Sequence, residues 1–297
     1  MNEKREMMWK KYNEAKLYFI EHPSMLINIE KFIMDIIKNT VVRHLPEIQR
    51  DYNEASYLYP FWGAYPPLER GKASRGDQVP WIEVGEFAVG DKLKRLIESN
   101  YSVREVGLPS GTDTRYLIQT KSISDITLGF LDSAFIFLDI KSVGPRDNFE
   151  NAAASPYQVS GNGVWEAWKE LLKNSPILSV GPRAQHLFYP ALAPVYVLSD
   201  GTIAPSIHLF VRPIYKMLRL EDATKNGQPL SSIEVVCFPN GLLLTMNPGY
   251  LSQYPGILYP GKDKLDVNPL KIRARISFKL VRSIAEWRYF RVEVPEE

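Results

Sequence analysis

The sequence predicts an α/β fold gathered into one domain over residues 1–297, and three observations lead there. Two N-terminal stretches carry apolar residues at helical spacing. Residues 134–140 form an apolar run of strand length. The second half holds several short strand candidates punctuated by the turn signals Asp200-Gly201 and Asn240-Gly241. No repeat, low-complexity tract or linker divides the 297 residues. Within the domain we expect N-terminal helices over 1–45, a core over 81–200, and a loop and strand over 255–285.

Taken in order, residues 5–21 place Met8, Tyr12, Ala15 and Phe19 on one helical face, and Pro23 stops that helix. Residues 24–42 repeat the pattern with Leu26, Ile29, Ile33, Ile36 and Ile37. Residues 51–80 mix prolines, glycines and aromatics with the basic cluster Arg70, Lys72 and Arg75, and read as a long irregular segment. A helix is predicted over 81–98. Its stripe of Ile82, Val89, Leu93 and Ile97 includes one carboxylate, Glu86, and its Gly85 and Gly90 permit close packing. Strands follow at 103–108 and 115–120, joined by a turn that contains Asp113. After a helix at 164–173, strands are predicted at 194–199, 206–212, 232–238 and 242–246. In a last strand, over 271–280, Lys271, Arg273, Arg275, Ser277 and Lys279 alternate with apolar residues. That strand is either a solvated edge guarded by positive charge or a ribbon that meets guanine edges in a major groove.

Composition narrows the function without naming it. A net charge of +2 means that any nucleic-acid binding must come from a local basic patch. Cys237 is the one cysteine, so neither an internal disulfide nor a cysteine metal site can form. The charged N-terminus lacks the apolar core of a signal peptide, and no apolar run approaches the ~20 residues of a membrane span, so a cytoplasmic location is expected.

The stretch with chemical content is Asp139-Ile-Lys141, at the end of the apolar run. Residues two apart on a strand share a face, so the acid and the lysine stand side by side. Two charges at the end of a core strand form either an ion pair or part of a metal-dependent phosphodiesterase centre. Phosphodiester hydrolysis needs an activated water and neutralisation of developing charge, which Mg²⁺ held by two carboxylates, with a lysine beside it, supplies. Asp113 and Asp132 are the candidates for the second carboxylate. Asp132 lies seven residues before Asp139, near the other end of the strand. Other chemistries fare worse. There is no Gly-x-Ser-x-Gly elbow and no P-loop, and the histidines lack metal-helix spacing.

The chain resembles the PD-(D/E)XK nuclease superfamily and, within it, the type II restriction endonucleases. The strings that carry the likeness are Asp51-Tyr-Asn-Glu-Ala, Pro80-Trp-Ile-Glu-Val-Gly-Glu86, Asp139-Ile-Lys-Ser-Val-Gly-Pro-Arg-Asp147, Gln158-Val-Ser-Gly-Asn-Gly163, Leu198-Ser-Asp-Gly-Thr-Ile-Ala-Pro205 and Asn247-Pro-Gly-Tyr250. The resemblance implies an α/β core with a mixed central β-sheet flanked by helices. It further implies a homodimeric, Mg²⁺-dependent endonuclease that cuts both strands of double-stranded DNA at an interrupted G·C-rich palindrome. The ends would be 5′-phosphate and 3′-hydroxyl, and a cognate DNA methyltransferase would act in the same system. By position, Asp113, Asp139 and the Ile140 carbonyl are implied metal ligands and Lys141 the catalytic lysine, with Glu86 a candidate supporting acid. DNA contacts fall on Lys72, Asp147, Lys262, Lys264, Arg273 and Arg275. The family pattern places proline before the first acid, where this chain has Thr112. Lys264 stands where an acid is expected, so the base pair read there should differ. The rivals are a nuclease of the same superfamily directed at DNA structure or damage, and a DNA-binding module that does not cut.

Overall fold

The computed structural model describes residues 3–62, 84–106, 114–144, 148–154, 177–178, 187–188, 192–216, 227–246, 248–260 and 274–295. Three helices open the chain: α1 (Glu3–Glu21), α2 (Pro23–Arg43) and α3 (Leu45–Trp62). The predicted faces of α1 and α2 are the buried ones, with Tyr12, Ala15 and Phe19 on α1 and Leu26, Ile29, Ile33, Ile36 and Ile37 on α2. Pro23 opens α2 rather than merely closing α1, since its missing N–H costs nothing in a first helical turn.

Helix α3 corrects the expectation of an irregular segment over residues 51–62, and the rest of that segment, 63–80, lies outside the described residues. Ile48, Tyr52 and Ser56 form a buried row at helical spacing. Two members of the buried face are polar because the Asn53 side chain accepts from Leu230 N (2.8 Å) and the Ser56 hydroxyl from Gln228 N. A helix that spends buried positions on capping a neighbouring strand shows a weak apolar stripe.

Residues 84–98 are helical, as predicted, but widen to a π-helix over Glu86–Asp91 before α4 (Lys92–Glu98). Then come β1 (Ser102–Glu105), β2 (Thr114–Gln119), α5 (Lys121–Ile126), β3 (Ser133–Ile140), β4 (Asn151–Ala153), β5 (Ile177–Leu178), β6 (Leu187–Phe188) and β7 (Val195–Val197). The chain continues through β8 (Ile203–Tyr215), β9 (Leu230–Phe238), α6 (Gly241–Thr245), α7 (Tyr250–Gln253), β10 (Leu258–Pro260), β11 (Ala274–Ser277), α8 (Phe278–Ile284) and β12 (Tyr289–Glu293).

Among the described residues the main sheet runs β1-β2-β3-β8-β9-β12, with β7 on one end of β8. It is mixed: β3 and β8 are parallel, and every other pair is antiparallel. The N-terminal helices pack on the face that carries Ile136, Leu138, Ile207, Leu209, Val211 and Val235. The opposite face carries Phe135, Phe137, Phe210, Val236 and Phe238, partly covered by β11 and α8. A smaller sheet, β10-β11-β4, lies on that side.

The two turn signals part company. Asp200-Gly201 makes the β7–β8 hairpin: Gly201 adopts φ of 87°, and the Asp200 carboxylate accepts from Thr202 N at 2.9 Å. Asn240-Gly241 does not. Asn240 caps α6 by accepting from Leu242 N, and a Cβ at Gly241 would run into the Leu192 carbonyl. The strand predicted over 242–246 is therefore helix, because a capped, fully buried Leu-Leu-Leu run satisfies its backbone locally. The strand expected over 271–280 ends at Ser277, whose side chain caps α8. Nor is β11 an edge, since it lies between β10 and β4. The helix predicted at 164–173 lies outside the described residues.

A buried ion pair ties the helical layer to the sheet. Glu30, on the apolar stripe of α2, receives Arg288 Nη2 at 2.5 Å, both side chains wholly buried. The Glu30 carboxylate also accepts from Asn240 N at 2.6 Å, and Arg288 Nη1 donates to the Cys237 carbonyl. Removing one partner from a buried pair leaves an uncompensated charge. Arg288→Met is therefore expected to lower unfolding free energy by about 3–5 kcal/mol, measured by chemical denaturation. An unchanged midpoint would show that the pair is not needed.

Candidate active site

The site is built where β3 ends. Along this strand Ala134, Ile136, Leu138 and Ile140 turn to the helical layer, which leaves Phe135, Phe137 and Asp139 on the opposite face. Asp139 is fully buried, and Lys141 Nζ lies 2.8 Å from its Oδ1 with about a third of the lysine side chain open to solvent (35%). The predicted side-by-side placement is thus observed. It exists because the backbone does not fray after Ile140. Lys141 N donates to the Val211 carbonyl at 2.9 Å and Val143 N to the Pro213 carbonyl at 2.9 Å, so the parallel ladder with β8 continues past the strand end.

The same hydrogen bond orients Ile140. Successive residues of a strand direct their peptide groups to opposite edges. Since Lys141 N faces β8, the Ile140 carbonyl faces the β2 side. There the antiparallel register sets Thr114 opposite Leu138. A buried carboxylate and a main-chain carbonyl at one strand end are hard oxygen donors, the type that suits Mg²⁺.

The π-helical segment lies against this strand end and explains its two glycines. A Cβ at Gly90 would come within 2.8 Å of Ile140 Cγ1, and one at Gly85 would collide with the Ser142 hydroxyl. Both contacts flank Lys141. The segment is anchored from behind by Lys92, whose ammonium meets Glu47 and, at 2.8 Å, Asp51 of α3. Those partners raise the Lys92 pKa and, chiefly through the same hydrogen bonds, lower those of Glu47 and Asp51.

Of the predicted site residues, the structure brings Asp139, Ile140 and Lys141 together. Glu86 opens the π-helical segment, which packs against them. Arg275 lies on β11, where its guanidinium donates to Asn151 Oδ1 at 2.8 Å, next to β4. Asp113, Lys72, Asp147, Lys262, Lys264 and Arg273 lie outside the described residues. Asp132 stands just before β3, at the far end from Asp139, and is engaged by Gln119 Nε2 (2.6 Å) and the Ser133 hydroxyl (2.8 Å). His208 stacks on Phe137 (ring centroids 4.9 Å apart), and burial drives its pKa down to about 3, so it brings no charge to the site. No cluster of three metal-ligating side chains occurs among the described residues.

Two charged residues on the Asp139 face are not singled out by the sequence reading: Arg212 of β8 and Glu234 of β9. They pair across the strands at 3.4 Å, both almost wholly buried. The available signal was opposite charges within two otherwise apolar strand candidates.

The mixed sheet carries a buried acid beside a solvent-reaching lysine at the end of β3, and the comparisons with known proteins set the chain in the restriction-endonuclease class. The family model "Restriction endonuclease BglI" matches residues 7–292. The chain is 45% identical over 284 residues to the type II restriction enzyme BglI of Bacillus subtilis, covering 94% of this chain and 95% of that one. It also superposes on the crystal structure of restriction endonuclease BglI bound to its DNA recognition sequence, with a TM-score of 0.82, 42% identity and 99% of each chain covered. The chain belongs to the BglI family of type II restriction endonucleases.

The glycine contacts give a test of the site's rigidity. Gly90→Val should push Ile140 and displace Lys141, and misplacement by about 1 Å costs on the order of 100-fold in rate. Single-turnover DNA cleavage should fall by that order while DNA binding in a gel-shift assay holds. Wild-type cleavage by the variant would show that the π-helical segment does not set the strand end.

Proposed function

We propose that this enzyme carries out Mg²⁺-dependent hydrolysis of both strands of double-stranded DNA at an interrupted, G·C-rich palindrome, leaving 5′-phosphate and 3′-hydroxyl ends. The observation that carries the reading is the buried Asp139 carboxylate with the Lys141 ammonium 2.8 Å away at the open end of β3. Burial of a carboxylate costs several kcal/mol of hydration. At the end of a strand, beside a lysine that reaches solvent, that cost is consistent with a place that receives a cation and a phosphate.

Asp113 is the proposed second carboxylate. What supports it is connectivity. Thr114 pairs with Leu138, and Asp113 is covalently the next residue, its Cα ~3.8 Å from that of Thr114. If the antiparallel register ran one step further, Asp113 would stand opposite Asp139. Asp132 cannot serve, because it is held at the other end of β3. Asp113, Asp139 and the Ile140 carbonyl would then hold Mg²⁺. When bound, the ion would lower the pKa of a water and draw charge from the phosphoryl oxygens.

The remaining work falls to the chain. Lys141 orients the attacking water and stabilises the negative charge that develops at phosphorus. The ladder to β8 holds the lysine backbone still while its side chain stays partly in solvent. Glu86, on the segment packed against Ile140 and Ser142, is proposed to support the metal ligands. Lys72, Asp147, Lys262, Lys264, Arg273 and Arg275 are proposed DNA contacts, with Asp147 accepting from cytosine N4 and the arginines donating to guanine O6 and N7. A homodimer follows from the symmetry of a palindrome, one protomer cutting each strand. Host DNA would be protected by a cognate methyltransferase, and the enzyme would work in the cytoplasm as one endonuclease domain. Among the described residues no helix is long and apolar enough to cross a membrane.

With Mg²⁺, the wild-type protein should convert a sequenced plasmid into discrete fragments, and a chelator should stop it. Asp139→Ala should cut no DNA while still shifting it in a gel, and Lys141→Met should cut about 10²- to 10³-fold more slowly. Fragments independent of sequence, or undiminished cutting by Asp139→Ala, would overturn the reading.

A further inference from the structure

We propose that Arg212 is a positioning residue that fixes the backbone at Phe149 relative to the catalytic strand and thereby couples base reading to strand cleavage. The inference rests on the reading of Asp139 and Lys141 as the cutting centre and of Asp147 as a base reader.

Three consecutive residues of β8 hold both ends of the 141–149 segment. The Val211 carbonyl accepts from Lys141 N and the Pro213 carbonyl from Val143 N. Between them, Arg212 sends its side chain to the far end, where Nη1 donates to the Phe149 carbonyl at 2.8 Å. One short piece of strand therefore grips the chain just after Asp139 and again just beyond Asp147. Further along, Phe278 N donates to the Glu150 carbonyl and β4 pairs with β11, which bears Arg275. A shift of Phe149 would be passed to both elements.

The Arg212 side chain meets more than the Glu234 carboxylate. Its guanidinium is only 1% exposed, and Glu234, 3.4 Å away, is already met by the Tyr289 hydroxyl at 2.7 Å and Arg291 Nη1 at 3.3 Å. Burying a further cation is costly and needs hydrogen bonds that recover the cost. The Phe149 carbonyl supplies one, and the rings of Phe278 (4.9 Å) and Phe149 (5.7 Å) flank the guanidinium carbon. Both contacts come from Nη1, which the flanking rings hold between a carboxylate on β9 and the Phe149 carbonyl. A lysine keeps the charge but lacks the planar group that those rings flank.

The test compares wild-type, Arg212→Lys and Asp139→Ala proteins, full length and with Mg²⁺. Single-turnover cleavage is measured at the preferred site and at sites with one base pair changed, alongside thermal unfolding and gel-shift binding. Arg212→Lys keeps a cation beside Glu234, which protects the fold. Its cleavage of the preferred site should fall by about 100-fold, the order expected of a small misplacement. The ratio of preferred to altered-site rates should narrow by about tenfold, the order of a single base-pair preference. Partial unfolding would scale both rates together and leave the ratio alone. A ratio equal to that of wild type overturns the proposal, whatever the absolute rate. Failure of the underlying reading is separately visible, as wild-type protein that makes no site-specific cut or Asp139→Ala protein that still cuts.

Discussion

Parallel pairing of β3 with β8 is the constraint on which the site depends. An antiparallel neighbour could hold β3 equally well, but its chain would run the opposite way past Ile140. The parallel partner instead runs on beyond Ile140 and carries the chain with it, so that Lys141 and Val143 remain hydrogen-bonded after the strand has formally ended. Two consequences follow. Asp139 and Lys141 keep strand alternation and meet on one face. The Ile140 carbonyl, out of phase with them, turns to the opposite edge, beside β2. A single register choice therefore places a carboxylate, an ammonium and a carbonyl oxygen around one point.

Three buried or half-buried ion pairs show how the molecule separates structural from chemical charge. Glu30 and Arg288 are both wholly enclosed, and so nearly are Arg212 and Glu234, at 1% and 2%. Such pairs offer no route for solvent and act by fixing neighbouring elements. The third pair differs in one respect: Asp139 is enclosed but Lys141 is not. Exposure of one partner, rather than the presence of charge, distinguishes this pair from the two braces.

Much of this was legible in the sequence, for identifiable reasons. The helices α1 and α2 have clean apolar stripes, and β3 is an unbroken apolar run ended by charge, so periodicity located all three. The pairing of Asp139 with Lys141 followed from strand alternation alone. Local sequence did not decide between Asp113 and Asp132, because that choice depends on which end of β3 each neighbour reaches. Helix α3 was obscured because Asn53 and Ser56 serve β9 from its buried face. The Leu242-Leu-Leu run has no period, and only the buried cap at Asn240 makes it a helix. Arg212 and Glu234 escaped the sequence reading, since their partnership exists only once β8 and β9 are in register.

The Glu30–Arg288 pair joins residues 258 apart in sequence. Loop closure on that scale comes late in folding, because its entropy is lost before the contact returns anything. While a ribosome still encloses residue 288, Glu30 has no countercharge, and β12 cannot complete the edge of the sheet beside β9. The helical layer can gather early, but it cannot lock. A nascent chain that has already displayed Asp139 and Lys141 therefore lacks the brace that fixes the helices to the strands beneath them. The brace from helix to sheet can close only after residue 288 has emerged.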